Sequence, residues 1–143
     1  MNWMNHGYKK DDKIPGRGVG KIDMDLKPNT TNGKKIYEAQ CAVCHGKDGQ
    51  GVKAEDGSYV FPAVWGDSSF NIGAGMARTY TAAAFIKQNM PIGHNTRFPM
   101  GHGGLSDQDA VDVAEYFSHI NRPDFADKHK DWPNGEKPKD ARY

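Results

Sequence analysis

Cys41-Ala42-Val43-Cys44-His45 places two thiols three residues apart, with an imidazole directly after them. One chemistry uses that spacing in full. Each sulfur adds across a vinyl group of a porphyrin, two thioether bonds form, and the adjacent imidazole is held under the iron as an axial ligand. The chain has 2 cysteines, so the motif accounts for both. A structural zinc site needs four ligands, usually as two Cys/His pairs, and the remaining histidines show no paired spacing. A thioredoxin-like redox pair lies between a strand and a helix of an alternating βα chain, a pattern not seen here. A disulfide within the motif closes a tight loop and leaves His45 without a role. The motif therefore predicts one covalent haem c, attached through Cys41 and Cys44 with His45 on the iron.

The opposite face of the iron needs a second ligand or stays open. Met90 is the favoured candidate: it follows an amphipathic segment, and Pro91 turns the chain away at once, presenting the thioether on a defined loop. Met100, six residues before Ser106, is the rival. Met76, His94, His102 and an open site remain as further alternatives. A methionine is ordinarily core filler. In a chain that attaches haem that reading weakens, because electron carriers generally cap the iron.

Three helices are expected to position these groups. The first spans about 32–42, with Asn32 as N-cap and with Gly33, Tyr37 and Cys41 on one face. The second spans about 81–89 and is ended by Pro91. The third begins at Ser106, with Asp109 completing a Ser-x-x-Asp capping box; Ala110, Val113, Ala114, Phe117 and Ile120 form its apolar stripe. Residues 46–78 read as a long loop rich in Gly and aromatic residues, which makes sense if it wraps a cofactor edge. Residues 1–31, with Ile14-Pro15-Gly16-Arg17-Gly18-Val19-Gly20, read as a linker or arm. Residues 32–121 read as the compact domain. Residues 122–143 read as a polar, Pro-containing tail with Phe125 and Trp132 as its docking anchors. The Lys-containing segments 9–13 and 128–139 are interleaved with Asp and read as solvated.

Composition sets further bounds. A length of 143 residues suits one domain, and 36% hydrophobic residues with 17 glycines make a thin core. A large apolar cofactor supplies the missing buried surface. A net charge of +1 implies no polyanionic partner such as nucleic acid, and no stretch reaches the length of a membrane helix. Met1-Asn2-Trp3-Met4-Asn5-His6 has neither the basic start nor the apolar run of an export signal. Thioether attachment takes place outside the cytoplasm, so the expected location is the periplasm, reached by a precursor with such a signal.

The helix that leads into Cys41-Ala42-Val43-Cys44-His45, the long loop and the last amphipathic helix, in this order, resemble class I cytochromes c over about residues 32–121. The resemblance implies an all-α fold in which N- and C-terminal helices cross around one covalently bound haem, here with extended arms at both ends. It implies a crossing made by Gly33 and Tyr37 against Tyr116 or Phe117. A narrower resemblance is to the second haem domain of bacterial thiosulfate dehydrogenases. It is carried by Tyr59-Val60-Phe61-Pro62-Ala63-Val64-Trp65-Gly66, Ser69-Phe70-Asn71, Gly73-Ala74-Gly75-Met76-Ala77-Arg78, Tyr80 to Pro91, Leu105-Ser106-Asp107-Gln108 and Asp131-Trp132-Pro133-Asn134-Gly135-Glu136-Lys137-Pro138. The family's Asn-Met-Pro segment implies Met90 as the sixth ligand. Pro62 resembles the proline whose carbonyl accepts the free N–H of the ligating histidine. Trp65, Tyr59 and Arg78 become candidates for bonding the haem propionates, against core packing for the aromatics and a solvated charge for Arg78.

The family's catalysis sits at its first haem, which has a cysteine ligand. These 143 residues hold no counterpart of that domain and no third cysteine. Some members carry a lysine beside the methionine ligand as an alternative ligand; here that residue is Asn89. The expected function is one-electron transfer between redox protein partners, a dehydrogenase donor and a cytochrome or oxidase acceptor. The alternative is the electron-relay half of a two-haem thiosulfate dehydrogenase that forms tetrathionate. A gas sensor or peroxidase would require an open iron.

Overall fold

The computed structural model describes residues 19–92 and 103–143. Among these residues four α-helices stand out: α1 (Thr30–Ile36), α2 (Ala42–His45), α3 (Thr79–Asn89) and α4 (Asp107–Ser118). A π-type turn, Tyr37–Cys41, joins α1 to α2 without a break. Such a turn rotates everything after it relative to α1, immediately before the residues that carry the chemistry.

The N-cap of α1 is Asn29, not the expected Asn32. Asn29 has extended backbone, and its side chain accepts the Asn32 N–H at 3.1 Å. Asn32 uses its own amide elsewhere, donating to Asp112 at 2.8 Å and Asp109 at 3.2 Å. The tertiary pull of α4 thus assigns the cap to the earlier asparagine. The cap of α4 is the expected one, Ser106 Oγ accepting the Asp109 N–H at 3.1 Å. Helix α3 begins at Thr79, two residues before the expected start. Its cap comes from the tail, where Asp140 accepts the Tyr80 N–H at 2.8 Å.

The stripe on α4 is buried at Ala110, Val113, Ala114 and Phe117, joined by Val111. Ile120 lies past the helix end and packs against the same core while partly exposed. The loop between α2 and α3 is not wholly irregular. Two short antiparallel strands, β1 (Val52–Lys53) and β2 (Tyr59–Phe61), pair Val52 with Phe61 and Lys53 with Tyr59. This small hairpin is the only strand structure among the described residues of a mostly helical fold.

Helix α4 packs against both α1 and α3. The α1–α4 crossing depends on Gly33. A Cβ there would fall on the Asp112 carbonyl oxygen and lie 2.9 Å from Tyr116 Cβ. The backbones meet at a distance that only glycine allows. One turn on, Tyr37 is buried with its ring 5.8 Å from Tyr116 and 4.8 Å from Trp65, so Tyr116 supplies the crossing aromatic while Phe117 faces the core. Asp112 is also buried, and it accepts from the Asn29 N–H, Asn32 Nδ2 and Gln108 Nε2 at 2.7–2.8 Å. Those three donors replace the water it loses.

The described part of the N-terminal arm lies on α3, with Ile22 and Leu26 against the core and the Leu26 carbonyl accepting from Tyr80 Oη at 2.8 Å. The tail returns over the same side. Phe125 packs on Gly73, and Trp132 lies under the Arg78 guanidinium and beside Tyr143. Lys128 and Lys130 pair with Asp124 and Asp127 at the surface.

Candidate haem site

His45 ends α2, and Gly46 follows at φ +80, turning the chain out of the helix. Gly49 and Gly51 also have positive φ, so the segment folds back beneath the imidazole. The Gly51 N–H donates to the His45 carbonyl at 2.7 Å, and Tyr37 Oη donates to the Gly46 carbonyl at 2.8 Å. Burial raises the Tyr37 phenol above its ordinary range, so it remains a donor.

His45 Nδ1 lies 2.8 Å from the Pro62 carbonyl oxygen. A carbonyl only accepts, so Nδ1 carries a proton, and in the neutral imidazole Nε2 then keeps the lone pair. A neutral imidazole with Nδ1–H engaged and Nε2 free is the tautomer that binds a metal through Nε2. Gly51 sets how close the two segments come. A Cβ on Gly51 would sit 2.8 Å from the Pro62 oxygen.

Cys41 and Cys44 are free thiols, each partly buried, and Val43 between them is 82% exposed. Burial, then the neighbouring Cys44, pushes the Cys41 thiol up to about 11, so it is uncharged at neutral pH. The two thiols, the imidazole with one committed nitrogen and the fold-back of glycines fit haem c. Cys41 and Cys44 would hold it by thioether bonds and His45 by the iron.

Met90 follows the last residue of α3. Its N–H donates to the Ile86 carbonyl at 2.8 Å, and its side chain packs, partly buried, against the core. The chain leaves α3 at Pro91 and returns at Gly103, whose N–H donates to the Gln88 carbonyl at 2.9 Å. Both ends of the intervening stretch are thus tied to the end of α3. Met100, His94 and His102 lie outside the described residues. Met76 is partly buried in a short turn, Gly75–Ala77, and packs against the core.

The three propionate candidates occupy different settings. Trp65 is buried against Tyr37, Tyr116 and Gly49, and its carbonyl accepts from Gln50 Nε2 at 3.1 Å. Tyr59 is 38% exposed with the Lys53 ammonium 4.9 Å above its ring. Arg78 stacks on Trp132 at 5.6 Å. Packing therefore engages all three rings or cations. Sequence reasoning passed over Arg122, which is buried and hydrogen-bonds four carbonyls of α4 and the loop. Its signal was an arginine directly followed by proline just past a helix end.

Crossed helices, a haem-attachment motif that follows the first of them and an imidazole oriented by a proline carbonyl define a c-type cytochrome. The family model described as "Cytochrome c" matches residues 30–121, and the chain belongs to that family. It is a class I cytochrome c, and that family implies a covalently bound haem c and haem-based electron transfer. The chain is 53% identical over 142 residues to a thiosulfate dehydrogenase of Psychrobacter arcticus, matching 99% of this chain and 41% of that protein. With a thiosulfate dehydrogenase of Allochromatium vinosum it shares 40% identity over 125 residues, 87% of this chain and 44% of the relative. The fold is similar to that of the as-isolated thiosulfate dehydrogenase TsdBA of Marichromatium purpuratum, with a TM-score of 0.67 and 39% identity over 78% of this chain and 22% of the other. The chain spans less than half the length of the curated relatives it matches.

Attachment has a direct expected outcome. Material from a host that matures c-type cytochromes should be heavier by one haem under denaturing mass spectrometry. A bare polypeptide mass from such a host would remove the basis for every assignment at this site.

Proposed function

We propose that the chain carries one electron at a time in the periplasm through a single haem c, with His45 and Met90 as axial ligands. The observation that carries this reading is the 2.8 Å contact between His45 Nδ1 and the Pro62 carbonyl, which commits one ring nitrogen and frees the other. When bound, haem c supplies a reversible one-electron iron couple. The protein's part is to hold both ligands through the change of charge without rearrangement. His45 is restrained by Pro62 and by the Gly51 amide on its carbonyl. Met90 is restrained by its own amide on α3 and by core contacts. With His45 and Met90 both holding the iron, a small ligand would find no free position, which would favour electron transfer over chemistry at the iron. The partners are redox proteins, a dehydrogenase as donor and a cytochrome or oxidase as acceptor. No helix among the described residues is long and apolar enough to cross a membrane.

A second reading rests on the relatives. They are named thiosulfate dehydrogenases, and this chain matches less than half of each. On that reading the same domain is the electron relay of a two-haem enzyme that joins two thiosulfates into tetrathionate. The two readings agree about these 143 residues. The chain by itself should exchange electrons rapidly with small redox dyes and a partner cytochrome, and should not turn over thiosulfate with ferricyanide as acceptor. With both axial positions filled and no cysteine left after attachment, a sulfur substrate has no position at the iron. Sustained thiosulfate turnover by this chain, abolished by Met90→Ala, would replace the carrier with a one-haem enzyme.

A further inference from the structure

Pro62 presents the carbonyl that orients His45, yet proline has no N–H with which to anchor itself. Before it Phe61 pairs with Val52 in the hairpin, and after it, beyond the Ala63 carbonyl that accepts from Ser69 Oγ at 3.2 Å, comes Val64. Its N–H donates to the Gly49 carbonyl at 2.8 Å, and its own carbonyl accepts from Arg122 Nη2 at 3.1 Å. The same Nη2 donates to the Phe117 carbonyl at 2.8 Å, Nε donates to the Ser118 carbonyl at 3.3 Å, and Nη1 donates to the Phe70 carbonyl at 3.3 Å. The guanidinium carbon lies 4.3 Å from the centre of the Phe70 ring. Arg122 is 6% exposed. Among the described residues its partners are carbonyls and not carboxylates. Burial, then the neighbouring Arg142, lowers it to about 10, so it keeps its charge at neutral pH.

The backbone on either side of Arg122 reinforces the contact. The Asn121 carbonyl accepts the Gly66 N–H at 2.8 Å, and the Pro123 carbonyl accepts the Ile72 N–H at 3.0 Å. Residues 121–123 thus grip the segment from Val64 to Ile72 along its length, with the Arg122 side chain at its centre. Two of these carbonyls lie in the last turn of α4, that of Phe117 also accepting the Ile120 N–H at 3.4 Å, and a cation there is favoured by the helix dipole. The other two belong to the loop that starts at Pro62. One side chain therefore couples the end of α4 to the loop that holds the axial histidine.

We propose that Arg122 is a positioning residue for the haem: it fixes the register of loop 62–72 on α4 and so sets the strength of the His45 Nδ1–H to Pro62 hydrogen bond. That bond makes the imidazole more basic, which favours the oxidised iron. Loosening it therefore raises the reduction potential. A lysine keeps the charge but lacks the planar fork, so it cannot serve four carbonyls at once.

This inference rests on the reading of His45 as the axial ligand, and the experiment separates the two. The haem-loaded protein is labelled with nitrogen-15, and exchange of the His45 Nδ1 proton with solvent is followed in the reduced state alongside the midpoint potential. In Arg122→Met the proton should exchange on the order of tenfold faster, as expected for losing about one net hydrogen bond of protection. The potential should rise in parallel. Arg122→Lys should fall between Arg122→Met and the parent. Val111→Ala, a cavity in α4 away from the loop, should lower thermal stability and leave both readouts unchanged. Unchanged exchange and potential in both Arg122 variants would overturn the proposal, as would the same acceleration in Val111→Ala. Should Arg122→Met not accumulate as holoprotein, Arg122→Lys alone decides on the same readouts. Absence of any haem-shifted His45 resonance in the parent would instead overturn the ligand assignment itself.

Discussion

Met90→Ala should change the protein from one that excludes small ligands to one that binds them. Methionine raises the potential of a His-ligated haem, so its loss should lower the midpoint potential and abolish the sulfur-to-iron charge-transfer absorption of the oxidised protein. Carbon monoxide should pass from no binding to stoichiometric binding in the reduced state. The argument is local. Met90 sits directly after α3, with its amide still bonded to the helix and its side chain against the core, so its backbone is positioned before any iron is bound. Alanine removes the thioether with little disturbance of that backbone. Met100→Ala should leave the absorption intact. If the two variants behave the other way round, Met100 is the ligand. Carbon monoxide binding by the unaltered reduced protein at neutral pH would favour the open-site alternative.

Gly33→Ala should destabilise the haem-loaded protein by about 3 kcal/mol or more, and the sign of the effect is the informative part. Local propensity predicts the opposite, since alanine is better than glycine inside a helix by about 1 kcal/mol. The packing term is larger. The added Cβ meets the Asp112 carbonyl and, at 2.9 Å, Tyr116 Cβ, so α1 and α4 must separate. Separation also strains the three hydrogen bonds that satisfy buried Asp112, each contributing roughly 1 kcal/mol or more. The midpoint of thermal unfolding should fall by about 10 °C. Lys35→Ala, exposed on the same helix, should change it by little. A Gly33→Ala protein at least as stable as the parent would mean that the two backbones can move apart at no cost.

Much of the candidate site was legible because its chemistry is packed into contiguous residues. Two cysteines, a histidine and their spacing name the cofactor without any knowledge of where the chain goes next. The Ser106 cap and the α4 stripe were equally legible, since both depend on neighbours within one or two turns. Gly33 could be singled out by its place on a helix face, but its reason, a carbonyl of another helix where a Cβ would stand, exists only in the folded state.

The choice of Asn29 over Asn32 as cap shows the boundary well. The two asparagines are equivalent as local signals, and Asp112, some eighty residues away, decides between them by recruiting the Asn32 side chain. Helix α3 starts early for a similar reason, because its cap, Asp140, comes from the tail. The Arg122 grip also depends on residues distant in sequence. The sequence by itself determined the haem attachment chemistry and the periodic helices, since covalent spacing and helical period are properties of adjacent residues. The tertiary structure decided the caps, the backbone-to-backbone crossing at Gly33 and the path from Arg122 through Val64 and Pro62 to His45. Each of these is a hydrogen bond or a steric limit between segments that meet only when the chain is folded.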